Sequence, residues 1–407
     1  MKNTLRVATL LSLSAATLLA SGYRIPEQSL NSTALSAAYV AGANGADASY
    51  YNPANMALMG GGAEIETAFT YINLPKVQYT DALNAGFNSD SKEEHFFVPT
   101  MHYVSPMMGN WRYGLSIVAP AGLSKRWDEA FTRATAEEFT LKVIEVNPTV
   151  SYKFSEEFAI GFGLRGVYTD GVVTSNAIGL GSPANRDLTG DSIDFGYNVA
   201  LSYKPIKDLT LSSTYRSKVD LTVEGDARLV NGLYNGGASV EIPLPASLTM
   251  AAAYTIDKTT VEFVFERTYW SSYKDLDFNY DVDLTSTAMA GFDRAIPKNW
   301  KDVNAYRIGI THQYSDALKV MAGFAIDKNP VPNNTLGFEL PDSDAKLYSL
   351  GCEYKLSEKM KIGLAYLFDD KESRTVTNRS VTNTTAPYGT FTDSGAHLVT
   401  ASLKYKF

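Results

Sequence analysis

The chain has 407 residues, a formal net charge of −8, 45% apolar, 20% charged and 12% aromatic residues, and a single cysteine. The acidic balance argues against nucleic acid as a partner, and the lone Cys352 excludes an internal disulfide. His95, His102, His312 and His397 are too scattered for metal-ligand spacing; no nucleophile motif or paired carboxylate stands out, so no enzyme, cofactor or metal is expected.

In chain order, Lys2 and Arg6 precede the apolar stretch 7–20, with small residues at Ser21 and Gly22. This predicts a signal peptide over 1–20, too short to span a membrane as a helix; no later segment approaches the roughly 20 apolar residues a membrane helix needs. Residues 21–62 are rich in Ala, Ser, Asn and Gly and lack sustained alternation. They are either a periplasmic extension or a plug for whatever lumen follows.

Residues 63–407 alternate, with candidate strands near 63–74, 93–105, 111–120, 139–154, 158–176, 191–204, 208–224, 238–256, 258–270, 301–315, 317–328, 342–356, 359–371 and 394–407. Short turns such as Asp257-Lys258 and Ser357-Glu358 alternate with the long segments 75–92, 121–138, 177–190, 225–237, 271–300, 329–341 and 372–393. Outer-membrane barrels sort their turns to the periplasm and their long loops outside. The final strand places Val399, Ala401, Leu403, Tyr405 and Phe407 on one face against Thr400, Ser402, Lys404 and Lys406, as a wall between lipid and a polar interior requires. The predicted fold is all-β, a 14-stranded antiparallel transmembrane barrel over 63–407, in the bacterial outer membrane. A lumen that wide exceeds what wall side chains can fill, a limit reached at about eight strands, so 21–62 suits a plug.

On these parities Arg165, Arg216, Glu262, Glu266, Arg307 and Glu353 face the lumen and Cys352 faces lipid. The charges read first as structural ion pairs; alternatively Arg165, Arg216 or Arg307 holds a ligand carboxylate. In the loop 121–138, Leu123, Trp127, Ala130, Phe131 and Ala134 would share one helix face, and Leu284, Ala288, Gly291, Phe292 and Ala295 repeat the spacing. Such faces either pack on each other over the barrel mouth or leave a seam that captures an apolar ligand. In the third strand, Gly114 and Pro120 are candidate bend residues. Loops 225–237 and 372–393 read as solvated surface.

The run 22–29 (GYRIPEQS), with Ala38-Tyr39 and Asn52-Pro53-Ala54, resembles the amino-terminal hatch of the FadL/TodX outer-membrane transporters of long-chain fatty acids and aromatic hydrocarbons. Segments 244–249 (LPASLT), 269–274 (YWSSYK), 299–302 (NWKD), 306–309 (YRIG) and 340–344 (LPDSD) resemble that family in the same order. The resemblance implies a hatch over 21–62, gated around Asn52, Pro53 and Ala54. It further implies external capture of a hydrophobic small molecule, with Leu123, Trp127, Phe131, Leu284 and Phe292 as candidates here, an internal pocket, and exit through a lateral gap at an inward kink of the third strand. The implied partners are the substrate and the outer-membrane lipid and lipopolysaccharide, and the implied state is a monomer. Fatty acid and hydrocarbon both stay open as substrates. The alternative, a general porin for small hydrophilic solutes, would lack a plug and carry charged constriction rings.

Overall fold

The computed structural model describes residues 22–381 and 383–407; the expected signal peptide over 1–20 lies outside the described residues. Fourteen strands form a closed antiparallel ring: β1 Glu64–Leu74, β2 Glu94–Val104, β3 Trp111–Arg126, β4 Glu138–Lys153, β5 Phe158–Asn176, β6 Asn185–Ile206, β7 Leu209–Arg216, β8 Ser247–Ile256, β9 Thr259–Thr268, β10 Val303–Gln313, β11 Leu318–Asp327, β12 Ala345–Lys355, β13 Met360–Lys371 and β14 Ala396–Lys406. Closure is made by β1 against β14, from Glu64↔Lys406 to Asn73↔His397. Closing the sheet leaves no strand edge in hydrocarbon, where an unpaired backbone group costs several kcal/mol.

Most strands run 10 to 12 residues, near the membrane-spanning length, but β3 to β6 run 16, 16, 19 and 22 and rise as a wall on the external side. Outward faces are apolar, as in Phe195, Tyr197, Val199, Leu201 and Tyr203 of β6, all exposed to the lipid side. Inward faces are polar and buried against the hatch.

Two expected strands are corrected. The range 208–224 ends later, and 238–256 begins earlier, than the barrel strands Leu209–Arg216 and Ser247–Ile256, because Val219–Leu229 and Tyr234–Leu244 form a separate hairpin. That hairpin pairs with the upper part of β6, from Glu224↔Asp191 to Leu229↔Arg186. Both arms alternate well, so periodicity could not tell an external hairpin from barrel strands. The loop 225–237, read as solvated surface, is this hairpin's turn and arms. Part of 372–393 is also ordered, since Arg374–Thr377 and Tyr388–Thr392 join Gln78–Asp81 and Ser89–Asp90 in a four-stranded external sheet.

Residues 22–59 lie inside the ring and are almost wholly buried. They contain three short helices, α1 Leu30–Ala34, α2 Ala48–Tyr51 and α3 Pro53–Leu58. Asn52 separates α2 from α3 at φ −156°, because the residue before a proline is driven out of the helical region. Pro53 then starts α3, where its missing N–H costs nothing. The lumen is therefore filled by protein, not by the water of an open porin.

The wall accommodates the hatch by omitting side chains. A Cβ on Gly161 would sit 2.5 Å from the Ala54 nitrogen, and one on Gly323 2.1 Å from the Leu35 carbonyl carbon. Gly161→Val and Gly323→Val are each expected to destabilise hatch docking by about 1–3 kcal/mol. Planar-bilayer recordings should show larger steady ion currents than the wild-type chain, whose plugged lumen should conduct little.

Outside, Arg379 clasps the loops. It pairs with Asp81 and lies 4.6 Å over Phe131 and 5.1 Å over Phe87. Burial would raise the Asp81 carboxyl, but Arg379, the Tyr79 hydroxyl and the amides of Leu83 and Asn84 outweigh it and hold it at about 2, against 3.8 ordinarily. A depressed carboxylate stabilises the fold above its ordinary value and loses that contribution as pH falls through the folded value. Protease nicking of the loops should accelerate as pH drops from about 4 to about 2, and Arg379→Gln should show that acceleration already at neutral pH.

Candidate functional site: a cavity, a hatch and a gap in the wall

Between the hatch and the outside, the upper inner faces of β3 to β6, the 219–244 hairpin and the 271–300 loop enclose a cavity of about 70 Å³. Its lining is chiefly apolar, including Leu123, Phe139, Leu141, Leu188, Val223, Val240, Phe278, Trp300 and Leu340. The space is small against the roughly 300–1,000 Å³ of a typical ligand pocket, so a hydrophobic solute enters by displacing flexible side chains. Lys298 and Glu339 reach the lining as an ion pair.

The hatch side of the cavity is Tyr23. Its hydroxyl donates to the Pro243 carbonyl at 2.5 Å, and its ring meets Trp270 edge-on at 4.7 Å. Gly22 precedes it at φ +69°, where a Cβ would lie 2.8 Å from Trp300 and 2.9 Å from Trp270; only glycine fits both the backbone and the space. The Gly22 amide donates to Asp342 at 3.3 Å, and Asp342 is itself paired with Lys371, both fully buried.

Below Tyr23 the wall is incomplete. β2 and β3 pair only from Met101↔Ile117 to Val104↔Gly114. Above Ile117, β3 bends inward, with a register shift against β4 between Val118 and Ala121, and at the top it meets Glu94 of β2 through the Ser124 hydroxyl and, just before β2, the Lys92 amide, which donates to the Arg126 carbonyl at 2.9 Å. The freed edge of β3 is taken by the hatch. Ile25 N–H donates to Pro120 O and Gly122 N–H to Tyr23 O, both at 2.9 Å. The Gln28 side chain acts like a peptide group, donating to Ala119 O and accepting from Ala119 N–H, both at 2.8 Å. Ile25 packs into an apolar cluster with Ile72, Phe96, Val98 and Ala119. One segment, 23–28, therefore both bounds the cavity and caps the open edge.

Farther down, Asn52 donates to the Val40 carbonyl at 3.2 Å and to Ser202 and Ser212 of β6 and β7 at 2.8 and 2.9 Å. Asn55, for which sequence carried no expectation, reaches the carbonyls of Val40, Ala41 and Ala43 at 3.1, 3.0 and 2.8 Å. Opposite, Glu262 of β9 accepts the amides of Val40, Ala41 and Gly42 at 2.7, 2.6 and 3.0 Å. Pro53 and Ala54 pack against Gly161 and add no polar contact.

The other expected residues are redistributed. The helix expected over 121–138 is confined to Ala130–Ala136, because 121–126 continue β3. The second expected helix, around Leu284 and Phe292, is a series of turns. Leu123, Trp127, Phe131 and Leu284 are all at most 7% exposed, in one cluster against which the half-buried Phe292 packs. They are core under the external loops, not an exposed capture seam; Leu123 alone of the five lines the cavity. Pro120 is at the bend, but Gly114 lies below it, still paired with β2, and makes room for Met56 of α3. Arg165 and Arg216 share Glu145, and Arg307 pairs with Asp327 at 3.0 Å and Glu266 at 3.6 Å. Each of these three arginines contacts a wall carboxylate, Arg165 and Arg216 sharing one, and none of them lines the cavity, which argues against a role in holding a ligand carboxylate there.

Asn55→Ala would strip the carbonyls of Ala41 and Ala43 of this donor and leave that of Val40 to Asn52, at about 1–3 kcal/mol for a buried polar group left unsatisfied. We expect a lower temperature for the heat-induced gel-mobility shift of the barrel and faster hydrogen exchange confined to 40–58.

The sequence profile of the outer membrane protein transport protein family (OMPP1/FadL/TodX) matches residues 11–407. The long-chain fatty acid transport protein of Escherichia coli (strain K12) is 24% identical over 362 residues, 76% of this chain and 77% of that protein. Outer membrane protein P1 of Haemophilus influenzae (strain ATCC 51907 / DSM 11121 / KW20 / Rd) is 22% identical over 357 residues, 76% and 75% of the two chains. In fold, the chain matches a Pseudomonas aeruginosa FadL homologue with a TM-score of 0.82 at 20% identity, covering 95% of this chain and 100% of that one. The Pseudomonas putida toluene transporter TodX matches at 0.70 and 19%, covering 91% and 97%. With a plugged 14-stranded barrel and a profile match over nearly its whole length, this chain belongs to the OMPP1/FadL/TodX family of outer-membrane transport proteins.

Proposed function

We propose that the chain carries hydrophobic small molecules, long-chain fatty acids or aromatic hydrocarbons, passively from the cavity to the gap between β2 and β3. The observation that carries this reading is the shared partition: Tyr23 lines the cavity while Ile25 and Gln28 occupy the open edge of β3. An apolar solute gains little from a water-filled pore, so each stage must replace water with apolar contacts. A solute wedged against Tyr23 favours states in which 22–28 has left β3, since it binds the open state better than the closed one. The apolar cluster around Ile25 then offers the next apolar surface, and the unpaired stretch of β2 and β3 offers a sideways exit into lipid. The anchors at Asn52, Asn55 and Glu262 hold the rest of the hatch, so only its first segment has to move. A single chain closes the ring, which supports a monomer, with outer-membrane lipid and lipopolysaccharide around its apolar wall.

The test is a reversible lock. Arg24 and Ala121 face each other as a non-hydrogen-bonded antiparallel pair, a geometry whose Cα separation of about 4.5 Å falls within the range a disulfide accepts. In a Cys352→Ser background, Arg24→Cys with Ala121→Cys should lower uptake of labelled oleate or toluene into liposomes at least tenfold when oxidised, and recover it on reduction. Equal uptake in the two redox states would sink the lateral route.

A further inference from the structure

Glu27 lies on the hatch segment that caps the open edge of β3, and it is only 3% exposed. Neither of its carboxyl oxygens meets a hydrogen-bond partner, and no cation lies within ion-pair distance of them among the described residues. The cations nearby are already matched. Arg24 of the same segment pairs with Glu266 of β9 at 3.1 Å, Arg307 of β10 with Asp327 of β11 at 3.0 Å, and Lys371 of β13 with Asp342. Asp369 of β13, fully buried and within electrostatic range of Glu27, has both oxygens unpartnered as well.

A carboxylate buried without a partner gives up its charge by taking a proton. Burial pushes the Glu27 carboxyl, in the hatch and outside the spanning strands, up from 4.5 to about 7; Asp327 and Glu266 add to the rise, and Arg307 and its own amide offset part of it. The backbone on either side fixes the group in this site. The Tyr51 hydroxyl accepts from the Gln28 amide at 2.6 Å and donates to the Pro26 carbonyl at 2.9 Å, and His102 of β2 meets the Gln28 carbonyl at 2.8 Å. A polar cavity of about 50 Å³, lined by Arg24, Pro26, Glu266 and Arg307 among others, adjoins the segment, with room for a water molecule. An ionised Glu27 would sit in a dry site beside Asp327, Asp369 and Glu266, where like charges disfavour docking.

We propose that the gate is proton-linked: segment 22–28 stays on β3 while Glu27 is the neutral acid, and leaves it when Glu27 gives its proton to water. This rests on that segment being the gate, and it adds what controls it. The preference for the docked state is fully present below the ordinary value of 4.5, declines above it and is lost as pH rises through about 7.

The experiment follows uptake of labelled toluene and labelled oleyl alcohol, neither of which titrates in this range, between pH 5 and pH 8. Liposomes carry the full-length wild type, Glu27→Gln or Glu27→Ala, with empty liposomes subtracted. Hydrogen exchange of segment 22–28 relative to barrel amides at each pH reports the gate itself, and heat-modifiable gel mobility confirms that each barrel is folded. Wild-type uptake should rise about threefold or more between pH 5 and pH 7.5 and then level off, within the roughly tenfold per pH unit that one proton allows; relative exchange should rise with it. Glu27→Gln, which keeps the shape of the neutral acid, should hold both at their acid-side level across the range. Should Glu27→Gln not fold, Glu27→Ala carries the test and should be equally flat with pH. Wild-type uptake that does not change with pH, or a rise that survives in the variant, overturns the inference and leaves the gate reading standing. Failure of the wild type to take up either compound at any pH overturns both.

Discussion

Everything in this molecule depends on satisfying irregular backbone at membrane depth. A helix or a closed barrel satisfies its own N–H and C=O groups, but residues 22–59 turn repeatedly and must find partners in the wall. The three successive amides at Val40, Ala41 and Gly42 converge on the single carboxylate of Glu262. The carbonyls of the same turn converge on Asn55. Because these partners are side chains of the wall and of the hatch itself, they fix the plug at defined points, beside the apolar contacts it makes with the wall.

The wall answers with charge where the hatch is polar and with glycine where it is close. Glu353 gathers Lys319, Lys361 and Lys404 at 3.3, 3.0 and 2.8 Å, and Lys404 also reaches Glu66 at 3.2 Å. Such pairs are costly to break one partner at a time, since removal leaves a buried charge uncompensated. Gly161 and Gly323 let helix ends and loop backbone approach within contact of the sheet. The lumen is thus closed to ions by these polar contacts together with an apolar cluster that joins Leu30, Leu35, Val40 and Met56 of the hatch to Val264 and Met321 of the wall.

Against that well-tied body, the first hatch segment is tied differently. It holds β3 through two main-chain hydrogen bonds and the Gln28 side chain. A strand edge left open by a bend is ordinarily a liability; here the hatch docks on that edge as an added strand, and the lateral route we propose runs through it.

Much of this was legible in the sequence. Strand faces, turn lengths and the even strand number follow from period-two alternation, a property of neighbouring residues that needs no knowledge of the rest of the chain. The ordered motifs around Asn52-Pro53-Ala54 and 340–344 carried the family. The hairpin 219–244 was missed because its alternation is the same as a barrel strand's, and only its pairing with the top of β6 distinguishes it. Leu123, Trp127 and Phe131 were placed on a helix because apolar spacing over a short loop fits strand and helix poorly alike. The carboxylate partners of Arg165, Arg216 and Arg307 and the docking of Gln28 on β3 were beyond reach, since they join residues from 20 to 91 positions apart. The sequence by itself determined the barrel and the presence of a plug, because those rest on local periodicity and composition. Only the tertiary structure decided which charges are neutralised, where the cavity lies and which six residues divide it from the gap, because burial and pairing are properties of surfaces that meet only once the ring has closed.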